Sequence, residues 1–193
     1  MGKIFYWLAY YVIKFYFIFI RRWQVEGKGN IPEEGPLIVM ANHISALDPP
    51  IVGCIMNRQV YFMAKKELFS NPVMGWIFRK IGVFPVKRGK ADLKALRTAL
   101  RILKKGKVLG LFPEGTRHNP EKPGEVQGGA VLIALKSKSP ILPVGIKNVS
   151  NNKRLTVSIG EPFTLEEFYD KKLSAEEKKE VGEKIMEKIK KEI

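Results

Sequence analysis

Beyond residue 36, short, largely apolar runs alternate with segments of helical periodicity. The runs at 37–40, 60–64, 83–86, 108–112, 141–146 and 155–159 are bounded by turn residues and read as strands, with 37–40 expected to be buried. Between them, 49–57, 72–80, 92–105 and 128–137 read as helices, with Pro49 tolerated in a first turn. In the 92–105 segment Leu93, Leu96, Leu100 and Leu103 recur at helical spacing and predict the inner face, with Lys94, Arg97, Arg101, Lys104 and Lys105 outside. Thr164-x-x-Glu167 and Ser174-x-x-Glu177 both match the capping box at a helix start. The last helix carries an apolar ridge at Val181, Ile185 and Ile189. Strands alternating with helices predict an α/β fold, a single domain whose central sheet is flanked by helices. The Gly- and Pro-rich stretch 26–36 marks the entry to that domain.

The start of the chain follows another pattern. Residues 4–20 read IFYWLAYYVIKFYFIFI, nine of them aromatic. At about 100° per residue, Lys3, Tyr10, Lys14 and Arg21 fall on one narrow stripe of a helix that is otherwise apolar. This suits an amphipathic helix lying in a membrane interface, cations toward headgroup phosphates and Tyr and Trp at the polar boundary. A spanning helix needs about 20 apolar residues, and Lys14 interrupts this run but could snorkel, so a span stays an alternative, as does a helix buried in the domain. A signal peptide needs small residues at its cleavage site, where Arg21-Arg22-Trp23 offers none. The expected organisation is a membrane-interface helix over 1–25 and a folded domain over 26–193. Arg21, Arg22 and Lys28 favour the cytoplasmic face of the cell membrane, with peripheral or monotopic attachment.

Charge sharpens the picture. Against 19 acidic residues stand 34 basic ones, a net +15 with a pI near 9.9. Residues 1–120 hold 20 basic and 7 acidic side chains, so the excess lies in that part. Such a field attracts nucleic acid, anionic lipid or an acidic partner. The aromatics cluster in one helix and are not interleaved with cations, which argues against nucleic acid. A single cysteine, Cys54, permits no internal disulfide and packs as a small hydrophobe in PPIVGCIM. Two histidines without a cysteine cluster leave no structural zinc set, and no metal is expected.

Two motifs suggest chemistry. NHISALDP places His43 five residues before Asp48. An imidazole can take a hydroxyl proton at neutral pH, and a carboxylate on its other nitrogen would hold its tautomer. FPEGTR places Arg117 beside a tight Glu114-Gly115-Thr116 turn, where a guanidinium can grip phosphate through two parallel hydrogen bonds. Lys87 and Arg88 follow another strand end, a common place for ligand-binding cations. In open α/β sheets the ligand lies beyond the carboxyl ends of the strands, so His43, Arg88 and Arg117 can converge. No G-x-S-x-G elbow exists to support a serine hydrolase.

Taken in order, N-H-x-S-x-x-D, P-V-K-R-G, F-P-E-G-T-R and L-P-V-G-I closely resemble the glycerolipid acyltransferases, specifically the bacterial 1-acyl-sn-glycerol-3-phosphate acyltransferases. The resemblance covers residues 37–146. It implies that 26–193 is an acyltransferase domain and that an acyl group moves from acyl-CoA or acyl carrier protein to the sn-2 hydroxyl of lysophosphatidic acid, giving phosphatidic acid. His43 would be the general base and Asp48 its partner. Arg117, with Glu114, Gly115, Thr116, Arg88 and Lys87, would form the phosphate site. No cofactor is implied beyond the acyl donor. His118 stands where the family often has Ser, and Val126-Gln127 where a basic residue is common. Both departures bear on acceptor choice. Another lysophospholipid or glycerol-3-phosphate as acceptor, or a non-catalytic anionic-membrane-binding protein, are the alternatives.

Overall fold

The computed structural model describes residues 2–87, 92–118, 124–149 and 154–193. Seven strands form one mixed sheet: β1 (Gln24–Glu26), β2 (Leu37–Ala41), β3 (Val60–Lys65), β4 (Val83–Val86), β5 (Val108–Leu111), β6 (Ile141–Lys147) and β7 (Thr156–Ile159). Their order across the sheet is β1-β7-β6-β2-β5-β3-β4. The five strands β6-β2-β5-β3-β4 are mutually parallel, while β7 is antiparallel to β6 and β1 runs with β7. Among the described residues six α-helices flank them: α1 (Gly2–Phe15), α2 (Asp48–Ile55), α3 (Pro72–Lys80), α4 (Leu93–Lys104), α5 (Gly128–Ser137) and α6 (Ala175–Lys191). The α/β architecture with a flanked central sheet is the one expected.

The sheet separates two apolar layers. Leu37, Val39, Ala41, Val60 and Val144 face α1 and α2, and Ile38, Met40, Leu109 and Leu111 face α4, α5 and α6. Alternate residues of β2 thus serve opposite cores, as the period of a strand requires. Val181, Ile185 and Ile189 are fully buried, so the predicted α6 ridge is its inner face. The Ser174 capping box forms, its hydroxyl accepting from Glu177 N and the Glu177 carboxylate from Ser174 N.

Several expectations are corrected. No capping box forms at Thr164. Its hydroxyl donates to Glu166, while Glu167 pairs with Lys184, so α6 supplies the stronger, charged partner. α4 is rotated: Ala95, Ala99 and Leu103 are buried, Leu96 and Leu100 half-buried, and Leu93 is 59% exposed. Small alanines let α4 lie close to α5 and β5, and that closeness selects the face. Residues 24 and 25, expected to belong to the interface helix, form β1 with Glu26, so the 25/26 boundary falls inside a strand. Residues on both sides of that boundary share one core, for Tyr6, Tyr10 and Phe17 are buried with the strands.

α1 also departs from the cation stripe. A π-helical turn, Tyr16–Ile20, breaks the α-helical spacing before Arg21. Lys14 Nζ donates to Tyr10 Oη at 2.5 Å, and Arg21 donates to the carbonyls of Val149 and Asn148 at 2.8 and 3.3 Å. These two cations have partners in the protein. The outer face is apolar instead: Ile4, Leu8, Tyr11, Val12, Phe15, Phe19 and Ile20 are exposed. A Phe5–Trp76 edge contact at 5.7 Å joins it to exposed Val73, Met74 and Trp76 on α3. Among the described residues no helix is long and apolar enough to cross a membrane.

Cys54 is buried with its Sγ 3.8 Å from Tyr10 O, and burial pushes its thiol up to about 12, as fits a packing role.

Asp92 caps α4, accepting from Lys94 N and Ala95 N at 3.0 Å through Oδ1 and from Lys87 N at 2.9 Å through Oδ2. These amides, that of Lys87 foremost, hold its carboxyl below the usual carboxylate range. A depressed native value means that the stabilisation is complete above the ordinary range and is lost as pH falls through the lowered value. Asp92→Ala is expected to cost about 0.5–2 kcal/mol in denaturant unfolding at neutral pH. The gap to the unaltered protein should close as pH is lowered from about 4. A gap that persists in acid would show the loss to be unrelated to the carboxylate.

Candidate active site

β2 and β5 are neighbours with Met40 opposite Leu111, so both end at the same sheet edge. The chain leaving β2 enters α2 on one face, and the chain leaving β5 reaches α5 on the other. Adjacent strands whose successors diverge in this way leave a crevice beyond their carboxyl ends. The NHISALD and FPEGTR loops form its two sides.

The first loop is anchored by Asn42, which is 3% exposed. Its Oδ1 accepts from Ile146 N at 2.7 Å and its Nδ2 donates to Ile146 O at 2.9 Å, tying the end of β2 to β6. The following residues wrap around Asp48, fully buried at the first position of α2. Asp48 Oδ2 accepts from Ile44 N and Ser45 N, each at 2.7 Å, and lies 2.8 Å from His43 Nδ1. Oδ1 has no hydrogen-bond partner among the described residues, so Oδ2 makes the whole connection to the loop. Pro49 and Pro50 lack the N–H groups that would otherwise be unmatched in the first turn.

With two amides already donating to Oδ2, His43 Nδ1 must be the donor in the third contact. A neutral ring then carries its lone pair on Nε2, the atom able to accept a proton. The ring also stacks on Phe112 at 4.3 Å and 24°. Phe112 lies nearly parallel to Phe62 at 6.2 Å, and a Cβ on Gly110 would stand 2.2 Å from Phe62 Cε1. Gly110 therefore makes room for the aromatic stack that backs the imidazole.

The second loop is joined to the first by two backbone links. His43 N donates to Glu114 Oε2 at 2.9 Å, and His118 N donates to His43 O at 2.9 Å. Glu114 is 3% exposed, and its Oε1 accepts from Gly124 N at 3.1 Å. That gives Glu114 a different part from the phosphate contact expected of it. Its carboxylate is engaged by backbone amides inside the loop, where it positions His43. Gly115 has φ +74°, donates to Phe112 O at 2.9 Å, and has Gln127 Cγ 2.9 Å from any added Cβ, so the turn requires glycine. Thr116 Oγ1 lies 3.0 Å from His118 Nε2 and is exposed.

Arg117 is exposed, adjoins the His118–His43 link, and has no ion-pair partner among the described residues. Lys87 is exposed just past β4 on the same edge, about 14 Å from β2 by three strand spacings. Arg88 lies outside the described residues. Asn42 and Phe112 open the two motifs but carry no assigned role in the sequence, and Phe62 and Gly110 carry no sequence signal. Asn42 had a signal, as the polar residue between a fully apolar strand and His43.

A hollow of about 280 Å³, lined by residues including Trp7, Arg58, Tyr61 and Lys107, lies at the opposite sheet edge. There Arg58 is held by the Pro32, Gly35 and Gly106 carbonyls and Lys107 by Tyr61 Oη, so these cations serve local structure.

A loop-held imidazole backed by a buried carboxylate can accept a proton, and an exposed guanidinium on the facing loop can meet an anion. The chain belongs to the acyltransferase family, whose model matches residues 22–147, and is an enzyme of that kind. It is 34% identical over 152 residues to the 1-acyl-sn-glycerol-3-phosphate acyltransferase of Bacillus subtilis (strain 168), covering 75% of each chain. To the protein of the same name from Streptococcus pneumoniae (strain ATCC BAA-255 / R6) it is 32% identical over 178 residues, 84% of this chain and 65% of the other. The crystal structure of the 1-acyl-sn-glycerophosphate (LPA) acyltransferase PlsC from Thermotoga maritima superposes with a TM-score of 0.71 at 27% identity, covering 94% of this chain and 78% of that one.

Asp48→Asn should lower kcat by about 100- to 10,000-fold, because a neutral amide has no charge with which to stabilise a protonated His43. Glu114→Gln sets an NH₂ group against one of two N–H donors, which is expected to cost about 1–3 kcal/mol in denaturant unfolding and to lower kcat. Unchanged stability and kcat in Glu114→Gln would contradict the positioning role.

Proposed function

We propose that this acyltransferase transfers a fatty acyl group from the thioester of acyl-CoA or acyl carrier protein to the sn-2 hydroxyl of lysophosphatidic acid, giving phosphatidic acid. The observation that carries the reading is the His43–Asp48 pair at 2.8 Å on a loop hydrogen-bonded to the one bearing Arg117. The names of the relatives supply the substrate.

In this mechanism His43 Nε2 takes the hydroxyl proton as the oxygen attacks the thioester carbonyl. The imidazolium that forms is stabilised by Asp48. When the tetrahedral intermediate collapses, the C–S bond breaks and the thiolate leaves with the proton from His43. The free thiol and the ester are the products. Arg117 holds the acceptor phosphate, with Lys87 adding positive charge along the edge.

The acceptor resides in a bilayer, and the apolar outer face of α1 with Trp76 is suited to seat there. Peripheral attachment at the cytoplasmic face, with α1 in the interface, completes the reading. Arg22, Arg79 and Lys80 beside that surface can meet anionic headgroups.

The test is labelled acyl transfer in detergent micelles, offering lysophosphatidic acid, glycerol-3-phosphate and a second lysophospholipid in parallel. His43→Ala should lower turnover by about 100- to 10,000-fold with the unfolding midpoint unchanged. Arg117→Ala removes charge-assisted bonds of about 1.5–3 kcal/mol and should raise the lysophosphatidic acid KM about 10- to 100-fold. An active His43→Ala variant, or preference for a different acceptor, would overturn the assignment.

Replacing Leu8 and Val12 together by Glu should reduce co-sedimentation with anionic vesicles by about tenfold or more, since each buried aliphatic side chain contributes about 1.5–3 kcal/mol. Undiminished co-sedimentation would place the membrane contact elsewhere.

A further inference from the structure

α4 carries Lys94, Arg97, Arg101, Lys104 and, at its C-cap, Lys105 on its exposed side, and no carboxylate within its twelve residues. None of the five has an ion-pair partner among the described residues, whereas the α6 cations Lys179, Lys184 and Lys191 each pair with a glutamate. An ordinary solvated lysine face looks like α6, with charges of both signs interspersed. The line on α4 is uncompensated, runs about 16 Å from Lys94 to Lys105, and begins at exposed Leu93.

Its placement gives the line a direction. α4 starts just past β4, at the sheet edge that holds His43, and its cap Asp92 is bonded to Lys87. α1 and α2 cover one face of the sheet and α4 the other. With the outer face of α1 on a bilayer, the α4 line is turned to water. A soluble donor approaches from that side.

We propose that the outer face of α4 docks an acidic, water-soluble acyl carrier protein, Lys94, Arg97, Arg101 and Lys104 meeting its carboxylates and Leu93 lying nearest the crevice. This rests on the thioester-dependent reading of the His43 site and names the partner that delivers the thioester. An extended row of cations with a leucine at the site end fits a protein surface better than one nucleotide. Long-range attraction of this kind acts on encounter and on KM more than on the chemical step.

The test uses the full chain. Its binding to an acyl carrier protein is titrated directly, and initial rates are measured with palmitoyl carrier protein and palmitoyl-CoA as separate donors. Charge reversal at Arg97→Glu with Arg101→Glu is compared with reversal at Lys178 and Lys179 on α6. The α4 pair should raise the carrier-protein Kd and KM by about tenfold or more, kcat and the palmitoyl-CoA KM staying within about twofold, and the α6 pair should change neither. Raised salt should shrink the difference. If the α4 pair shifts the unfolding midpoint, Arg97→Ala with Arg101→Ala replaces it. Equal losses with both donors, no loss with either, or a carrier protein neither bound nor used while palmitoyl-CoA is consumed would each overturn the docking surface. Failure of the unaltered enzyme to acylate lysophosphatidic acid from either donor would sink the functional reading instead, with the titration still deciding whether α4 binds the carrier.

Discussion

Two buried carboxylates that face backbone amides rather than cations shape the site. Asp48 Oδ2 accepts Ile44 N and Ser45 N, and Glu114 accepts His43 N and Gly124 N. Burying a carboxylate is costly unless its oxygens find donors, and a buried amide is costly unless it finds an acceptor. Asp48 meets that need within its own loop, and Glu114 meets it across the two loops through His43 N. The strand ends supply amides that have run out of ladder partners, and the carboxylates supply acceptors the sheet cannot. The position of His43 follows, with its backbone held on both sides by the FPEGTR loop and its ring between Asp48 and Phe112.

This arrangement sits on a topological feature of the sheet. β2 and β5 are paired, yet the chain goes from them to helices on opposite faces. The same division segregates the molecule's surroundings. The α1 and α3 side presents apolar side chains, and the α4 side presents cations. The proposed transfer, from a water-borne thioester to a lipid acceptor, needs access to both, and the crevice lies at the edge common to the two faces.

Much of this is legible in the sequence. Strand and helix types follow from run length and period, and the five-residue spacing of His43 and Asp48 is short enough for local chain geometry to close the pair. Other features depend on partners distant along the chain. β1 is three residues with little apolar signal and exists through its pairing with β7. The rotation of α4 depends on how near α5 allows it to come. Glu114 reads as part of an anion loop because its amide partners, His43 and Gly124, are visible only in three dimensions. Thr164 has the spacing of a capping box, but Lys184 draws Glu167 away. Arg117 is legible as a cation beside a glycine turn, and it is exposed in the structure.

The central claim is that Asp48 holds His43 with the proton on Nδ1 and the lone pair on Nε2. With only two histidines in the chain, nitrogen-15 labelling of the imidazoles resolves both, and His43→Gln assigns them. At a pH where the ring is neutral, the account predicts the Nδ1–H tautomer for His43, reverting toward the ordinary Nε2–H form in Asp48→Ala, which removes the acceptor. An Nε2–H tautomer in the unaltered protein would contradict it.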